Sequence, residues 1–257
     1  MLRRMVQTGL FAGFLTALIY SVVQAVTVTP LIFEAEVYEQ TGGGHGPAVH
    51  LHQDGTQHLH ESGVSAVASE PAAPVPAEPW EPSDGIERYG FTFLANIVTA
   101  VGFAFVMVAA FAVWGKPVDL RVGLWWGLAG YAVFALAPSL GLPPEAPGAA
   151  AAPLEARQTW WLGAMVATAV GLGLLVFAKP LWLRLIGVPV ILLPHFIGAP
   201  HPVGLEPGLA PPELAALYVV WSLVTTLIFW LLLGASAGEI YRRLGESQAG
   251  AAERGAA

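Results

Sequence analysis

Cysteine is absent from the 257-residue chain, which excludes disulfides, thiolate metal sites and a cysteine nucleophile together. Lysine is nearly absent. Lys116 and Lys179 are each followed by proline, and no Gly-x-x-x-x-Gly-Lys-[Ser/Thr] phosphate loop exists, so the chain lacks the apparatus for ATP binding. Charge of either sign is scarce, at 11% of residues against about 25% in a soluble domain. Positive charge is scarcer than negative: 11 Lys+Arg face 18 Asp+Glu, a net charge of −7. With no basic patch to neutralise phosphates, nucleic acid is not an expected partner. Four methionines and no cysteine leave little for a soft copper(I) relay. No His-Glu-x-x-His or comparable helical spacing occurs, so an intramembrane metalloenzyme lacks its ligand motif. The expectation is a protein that is not an enzyme.

Apolar residues are abundant instead, at 55% with a mean hydropathy of +0.62. A membrane-crossing helix needs about 20 apolar residues. Six stretches qualify, at roughly 5–29, 91–114, 122–141, 159–178, 181–199 and 214–238. The fifth is short and carries Pro189 and Pro194, so a five-span alternative stays open. The reading is an all-α polytopic membrane bundle of about six transmembrane helices, in contact with lipid, with one long flexible external loop. The chain divides into a first helix (about 1–33), a His- and Pro-rich loop (about 34–90), a five-helix bundle (about 91–241) and a disordered cytoplasmic tail (about 242–257). Small-xxx-small pairs at Gly9–Gly13, Gly123–Gly127 and Gly234–Gly238 point to close helix packing.

Basic residues set the orientation. With the N-terminus inside, Arg3, Arg4, Lys116, Arg121, Lys179, Arg184, Arg242, Arg243 and Arg254 are cytoplasmic, and only Arg88 and Arg157 are external. That asymmetry orients proteins of the bacterial inner membrane and supports six spans with both termini cytoplasmic. Arg3, Arg4 and the small residues near Ala25 also fit a cleavable signal peptide, but the apolar run from Met5 to Val23 is longer than a signal core.

All seven histidines fall on the external side of this topology. His50-Leu51-His52 and His58-Leu59-His60 are His-x-His pairs, with His45 nearby and Asp54 and Glu61 beside them. In an extended chain, residues two apart share a face, so each pair can converge on one ion. Imidazole with carboxylate suits divalent first-row metals. Such a loop collects rather than stores, because binding must also order it. A compositional His tract without a metal role is the alternative. His195 near the end of the fifth span and His201 beyond it lie among Pro194, Pro200 and Pro202, which are expected to rule out a regular helix there. His195 is placed about four residues inside the helix end, roughly 6 Å at 1.5 Å per residue. An intramembrane ionisable group is a functional candidate, or else a histidine bonded to a freed carbonyl. Glu34, Glu36 and Glu39 follow the first span and form either a cation-attracting mouth or the boundary with water. Asn96 and Gln24 are explained by helix-to-helix hydrogen bonding. No permanently bound cofactor is expected; the candidate ligands serve a transient divalent cation. A non-conducting metal-binding accessory or regulatory protein is the competing class.

The sequence resembles the CbtA family, predicted cobalt transporter membrane subunits. The resemblance rests on Val28-Thr29-Pro30-Leu31-Ile32-Phe33-Glu34-Ala35-Glu36 with Tyr38 and Glu39, and on Leu94-Ala95-Asn96-Ile97-Val98-Thr99. It continues through Gly127-Leu128-Ala129-Gly130, Ala137-Pro138, Leu142-Pro143-Pro144-Glu145 and Ala156-Arg157-Gln158-Thr159-Trp160-Trp161. It ends with Pro194-His195 through Pro202 and Tyr241-Arg242-Arg243. What the resemblance implies is uptake of cobalt for cobalamin synthesis, together with a small one-span partner, CbtB, that carries its own His motif.

Overall fold

In the computed structural model, which describes residues 1–42, 80, 82–202 and 208–256, every regular element among the described residues is helical. The elements are α1 (Leu2–Gly42), α2 (Ile86–Trp114), α3 (Leu120–Ser139), α4 (Leu154–Phe177), α5 (Leu181–Ile197) and α6 (Pro212–Ala256). Five are long and apolar enough to cross a membrane; α5, at 17 residues, is the short one. At 1.5 Å per residue it reaches about 25 Å, a little under a hydrocarbon core of about 30 Å.

Arg4 of α1 donates from Nε to the Tyr241 carbonyl of α6 at 2.7 Å, and its guanidinium sits 3.5 Å above the Tyr241 ring. Both termini therefore lie at one end of the bundle. At the other, α1, the loop after α3 and the start of α6 meet in a small core of Ala35, Ala146 and Leu214. We call this the loop end.

Glycine decides which helices pair. The Gly123–Gly127 ridge of α3 lies directly on the Gly234–Gly238 ridge of α6, so close that a Cβ at any of the four would run into the facing backbone. Gly9 and Gly13 similarly seat Phe105 and Val101 of α2, and Gly171 of α4 meets Gly187 of α5. Between helices in lipid, close backbone approach replaces the hydrophobic effect as the source of attraction. Its result is a row α2–α1–α6–α3 plus an α4–α5 hairpin. The central core holds Ala12, Ala104, Val108, Phe111, Phe229, Trp230 and Leu233.

Several expected boundaries move. Helix α1 runs through Pro30 to Gly42, so Glu34, Glu36 and Glu39 stand on a helix and not in a loop beginning at 34. Helix α2 starts at Ile86, ahead of its apolar run, because Glu87 suits a helix N-terminus. Pro194 lies inside α5, which continues to Ile197 and stops at Gly198, whose φ of 90° ends it. His195 is thus two residues from the helix end instead of four. The expected disordered tail is also helical, since α6 continues to Ala256. Arg242 and Arg243 bind Glu239 and Glu246 at helical spacing (Arg242 Nη1 to Glu246 at 2.7 Å), carrying the helix out of its apolar stretch. Within α3, residues Ala132–Leu136 form a π turn.

Candidate functional site

The candidate residues at the loop end divide into those with a partner and those without. Arg88 makes a forked pair with Glu36, one arm being Nη1 to Oε2 at 2.9 Å, and reaches Asp84 at 3.1 Å. Its guanidinium also lies 4.8 Å from the Phe33 ring centre. Glu36 therefore spends its charge within the protein, tying α1 to α2. Glu34 and Glu39 are exposed, as is His201. Among the described residues, no three His, Asp or Glu side chains converge in a group that could hold a metal ion. The mouth expected from Glu34, Glu36, Glu39, His195 and His201 is thus not a preformed cage: Glu34 and Glu36, two residues apart on one helix, point to nearly opposite faces, and Glu36 is held by Arg88. His45, His50, His52, His58 and His60 lie outside the described residues.

His195 occupies a more constrained position. Its Nε2 is buried without a hydrogen-bond partner, although the residue as a whole is half-exposed. Trp160 of α4 meets it edge-on at 5.6 Å and donates from Nε1 to the Pro194 carbonyl at 3.2 Å. That carbonyl also accepts the Gly198 amide at 3.1 Å. The alternative of a histidine satisfied by a freed carbonyl therefore does not hold for Nε2: the carbonyl at Pro194 goes to Trp160 and Gly198. A buried imidazole nitrogen without a partner is costly to keep.

A second arginine–carboxylate pair, absent from the sequence reading, marks a neighbouring cavity. Arg157 binds Glu145 at the rim of a hollow of about 490 Å³ lined also by Leu142, Pro143, Gln158 and Trp161. Both arginines assigned to this end are therefore neutralised. Glu34, Glu39, Glu87, Glu155 and Glu213 add negative charge to the same end, favouring cations there. Spacing could not reveal these pairs, whose partners are 52 and 12 residues apart on different elements.

Deeper between the helices, the Asn96 amide of α2 donates to Gln24 Oε1 at 2.8 Å and Ser21 Oγ at 2.9 Å of α1. Helix-to-helix bonding accounts for that contact, as the sequence indicated. Thr27 meets buried Thr225 at 3.3 Å, and Thr16 meets Ser236 at 3.3 Å, extending a neutral polar seam along the α1–α6 contact. Among the described residues no carboxylate, lysine, arginine or histidine is buried as a whole; the fully buried polar residues are threonines.

The family model for CbtA, the probable cobalt transporter subunit, matches residues 2–242. The chain belongs to the CbtA family. That match covers α1 to α5 and α6 as far as Arg242, and with five helices long and apolar enough to cross a membrane it makes the chain a multi-pass membrane protein of a transporter-subunit family. No curated protein and no solved structure matches the chain.

Proposed function

We propose that the chain is the membrane subunit of a divalent-metal uptake system, with cobalt as cargo. It does no chemistry of its own. The observation that carries this reading is the family match over residues 2–242; the excess of carboxylate at the loop end supports it. On this reading the loop end faces outward and both termini are cytoplasmic, in agreement with the nine basic residues at the termini end. His50, His52, His58 and His60 capture the ion and raise its local concentration. Glu34 and Glu39 draw it to the mouth, His201 offers an exposed imidazole, and His195 takes it from solvent into the bundle. Glu36 holds the mouth in shape through Arg88. A one-span His-motif subunit resembling CbtB completes the system, and lipid covers the apolar outer faces. The cation is transient cargo, so no resident cofactor is needed.

The absence of a three-ligand cluster among the described residues favours a second reading, a metal-binding accessory protein that does not conduct. Radioactive cobalt uptake separates the two. Cells carrying this chain with the one-span partner should accumulate cobalt above cells carrying the partner alone. Equal accumulation would assign the chain to the accessory class.

A further inference from the structure

A groove of about 730 Å³ opens between α3 and α4 in the half of the bundle nearest the termini, the end that the contact of Phe111 with Tyr241 assigns to the close of α2. Apart from tryptophan indole nitrogens, its lining side chains are hydrocarbon or thioether. The lining runs from Val122 to Phe134 on α3 and from Met165 to Phe177 on α4, about 18 Å along each helix. Half a hydrocarbon core is about 15 Å. We propose that this groove holds one acyl chain of an anionic phospholipid from the leaflet at the termini end, with the headgroup on Lys116, Arg121 and Lys179. The site is independent of the uptake reading.

Charge marks the mouth. Lys116 lies two residues past Trp114, Arg121 directly before Val122, and Lys179 two residues past Phe177, and all three are exposed. The Lys116 ammonium sits 5.5 Å from the Trp114 ring centre. Arg184 donates to the Ala178 carbonyl at 2.7 Å and so holds the turn that carries Lys179. None of the three cations at the mouth is in an ion pair among the described residues, whereas Arg88, Arg157, Arg242 and Arg243 all are. Asp119, the carboxylate nearest Arg121 in sequence, is occupied in capping α3, where it accepts the Val122 amide at 2.8 Å. Basic clusters between helices at this level suit anionic headgroups. Trp125, 72% exposed, stands at the same level, where indoles sit among headgroups.

Depth separates a lipid chain from a partner helix. An acyl chain ends at the middle of the bilayer, whereas a crossing helix follows the whole core of about 30 Å. The groove stops where the π turn at Ala132–Leu136 brings α3 onto α4. Small residues set its width: Ala129, Ala132, Ala169 and Gly173 line it, and a Cβ at Gly173 would meet no atom within 4 Å. Trp126, stacked on Phe177 at 6.2 Å and edge-on to Trp114 at 6.1 Å, fixes the walls at the mouth.

Lipid titration tests the site. Full-length protein in detergent is titrated with phosphatidylglycerol or phosphatidylcholine of identical chains, and the bound states are read by native mass spectrometry. The first phosphatidylglycerol should bind about tenfold tighter than the first phosphatidylcholine. Gly173→Leu fills the groove without meeting a neighbour and should remove that tight site. Gly163→Leu, on the same helix, equally open and outside the groove, should keep it. Changing Lys116, Arg121 and Lys179 together to glutamine leaves the packing untouched and should bring the two lipids to equal affinity. Equal affinity in the parent, or an undiminished preference in Gly173→Leu or in the glutamine variant, would overturn the site. A small protein that copurifies with the parent and is lost from Gly173→Leu would overturn it too, and would give the groove to a partner helix.

Discussion

At the scale of single residues, the two kinds of polar group at the loop end call for opposite experiments. His195 has a buried nitrogen without a partner, so its removal breaks no hydrogen bond at Nε2 and, on the uptake reading, costs much function. His195→Ala should abolish cobalt uptake at scarce and plentiful metal alike with normal membrane levels. His195→Gln keeps a hydrogen-bonding side chain but is a poor ligand, and uptake equal to the parent would make the histidine structural. Glu36 is the reverse case, its charge answered by Arg88. Glu36→Arg should lower the amount of folded protein, and the exchange Glu36→Arg with Arg88→Glu should restore it. Restored folding without restored uptake would show that Glu36 also touches the cation.

Elements are held by shape more than by polarity. Gly127 has the Trp230 carbonyl against the position a Cβ would take, and Gly130 seats the Trp230 ring. Gly127→Leu must therefore push α3 from α6, at a cost of about 3 kcal/mol or more, the upper range for overpacking. Thermal unfolding in detergent should show a lowered midpoint. Gly163 of α4 has open space at the same position, and Gly163→Ala should leave the midpoint unchanged or raise it slightly, since alanine favours a helix over glycine. An unchanged midpoint in Gly127→Leu would mean that the close α3–α6 contact does not set stability. The small-xxx-small spacing was readable in the sequence; that two of the three pairs face each other was not, because spacing along one helix says nothing of its partner.

For the whole molecule, the His-x-His loop and the bundle are separable on the uptake reading. Replacing His50, His52, His58 and His60 by alanine should weaken uptake when cobalt is scarce and matter little when it is abundant, since a collector acts by raising effective concentration. Equal loss at every concentration would make the loop part of the conduction route. Ser62→Cys, the sole thiol in a cysteine-free chain, should react with an impermeant maleimide in intact cells. Reaction only after permeabilisation would invert the topology.

The all-helical architecture, the membrane class and the approximate spans were legible in the residue string, because hydropathy over 20 residues and the cost of unpaired backbone in lipid are local properties. That Asn96 and Gln24 serve helix-to-helix hydrogen bonding was legible too; that they bond each other came from the structure. Helix ends were not: ion pairs at helical spacing extend α6 past its apolar stretch, and Glu34 to Glu39 ride on α1 past the expected boundary. The tertiary structure alone decided that Glu36 belongs to Arg88 and Glu145 to Arg157. It alone placed the π turn of α3 beside the interlocked rings of Phe103, Phe134 and Trp230. Those arrangements depend on the register between helices up to two hundred residues apart, and register is set by which glycine ridges interlock, a choice no single segment contains.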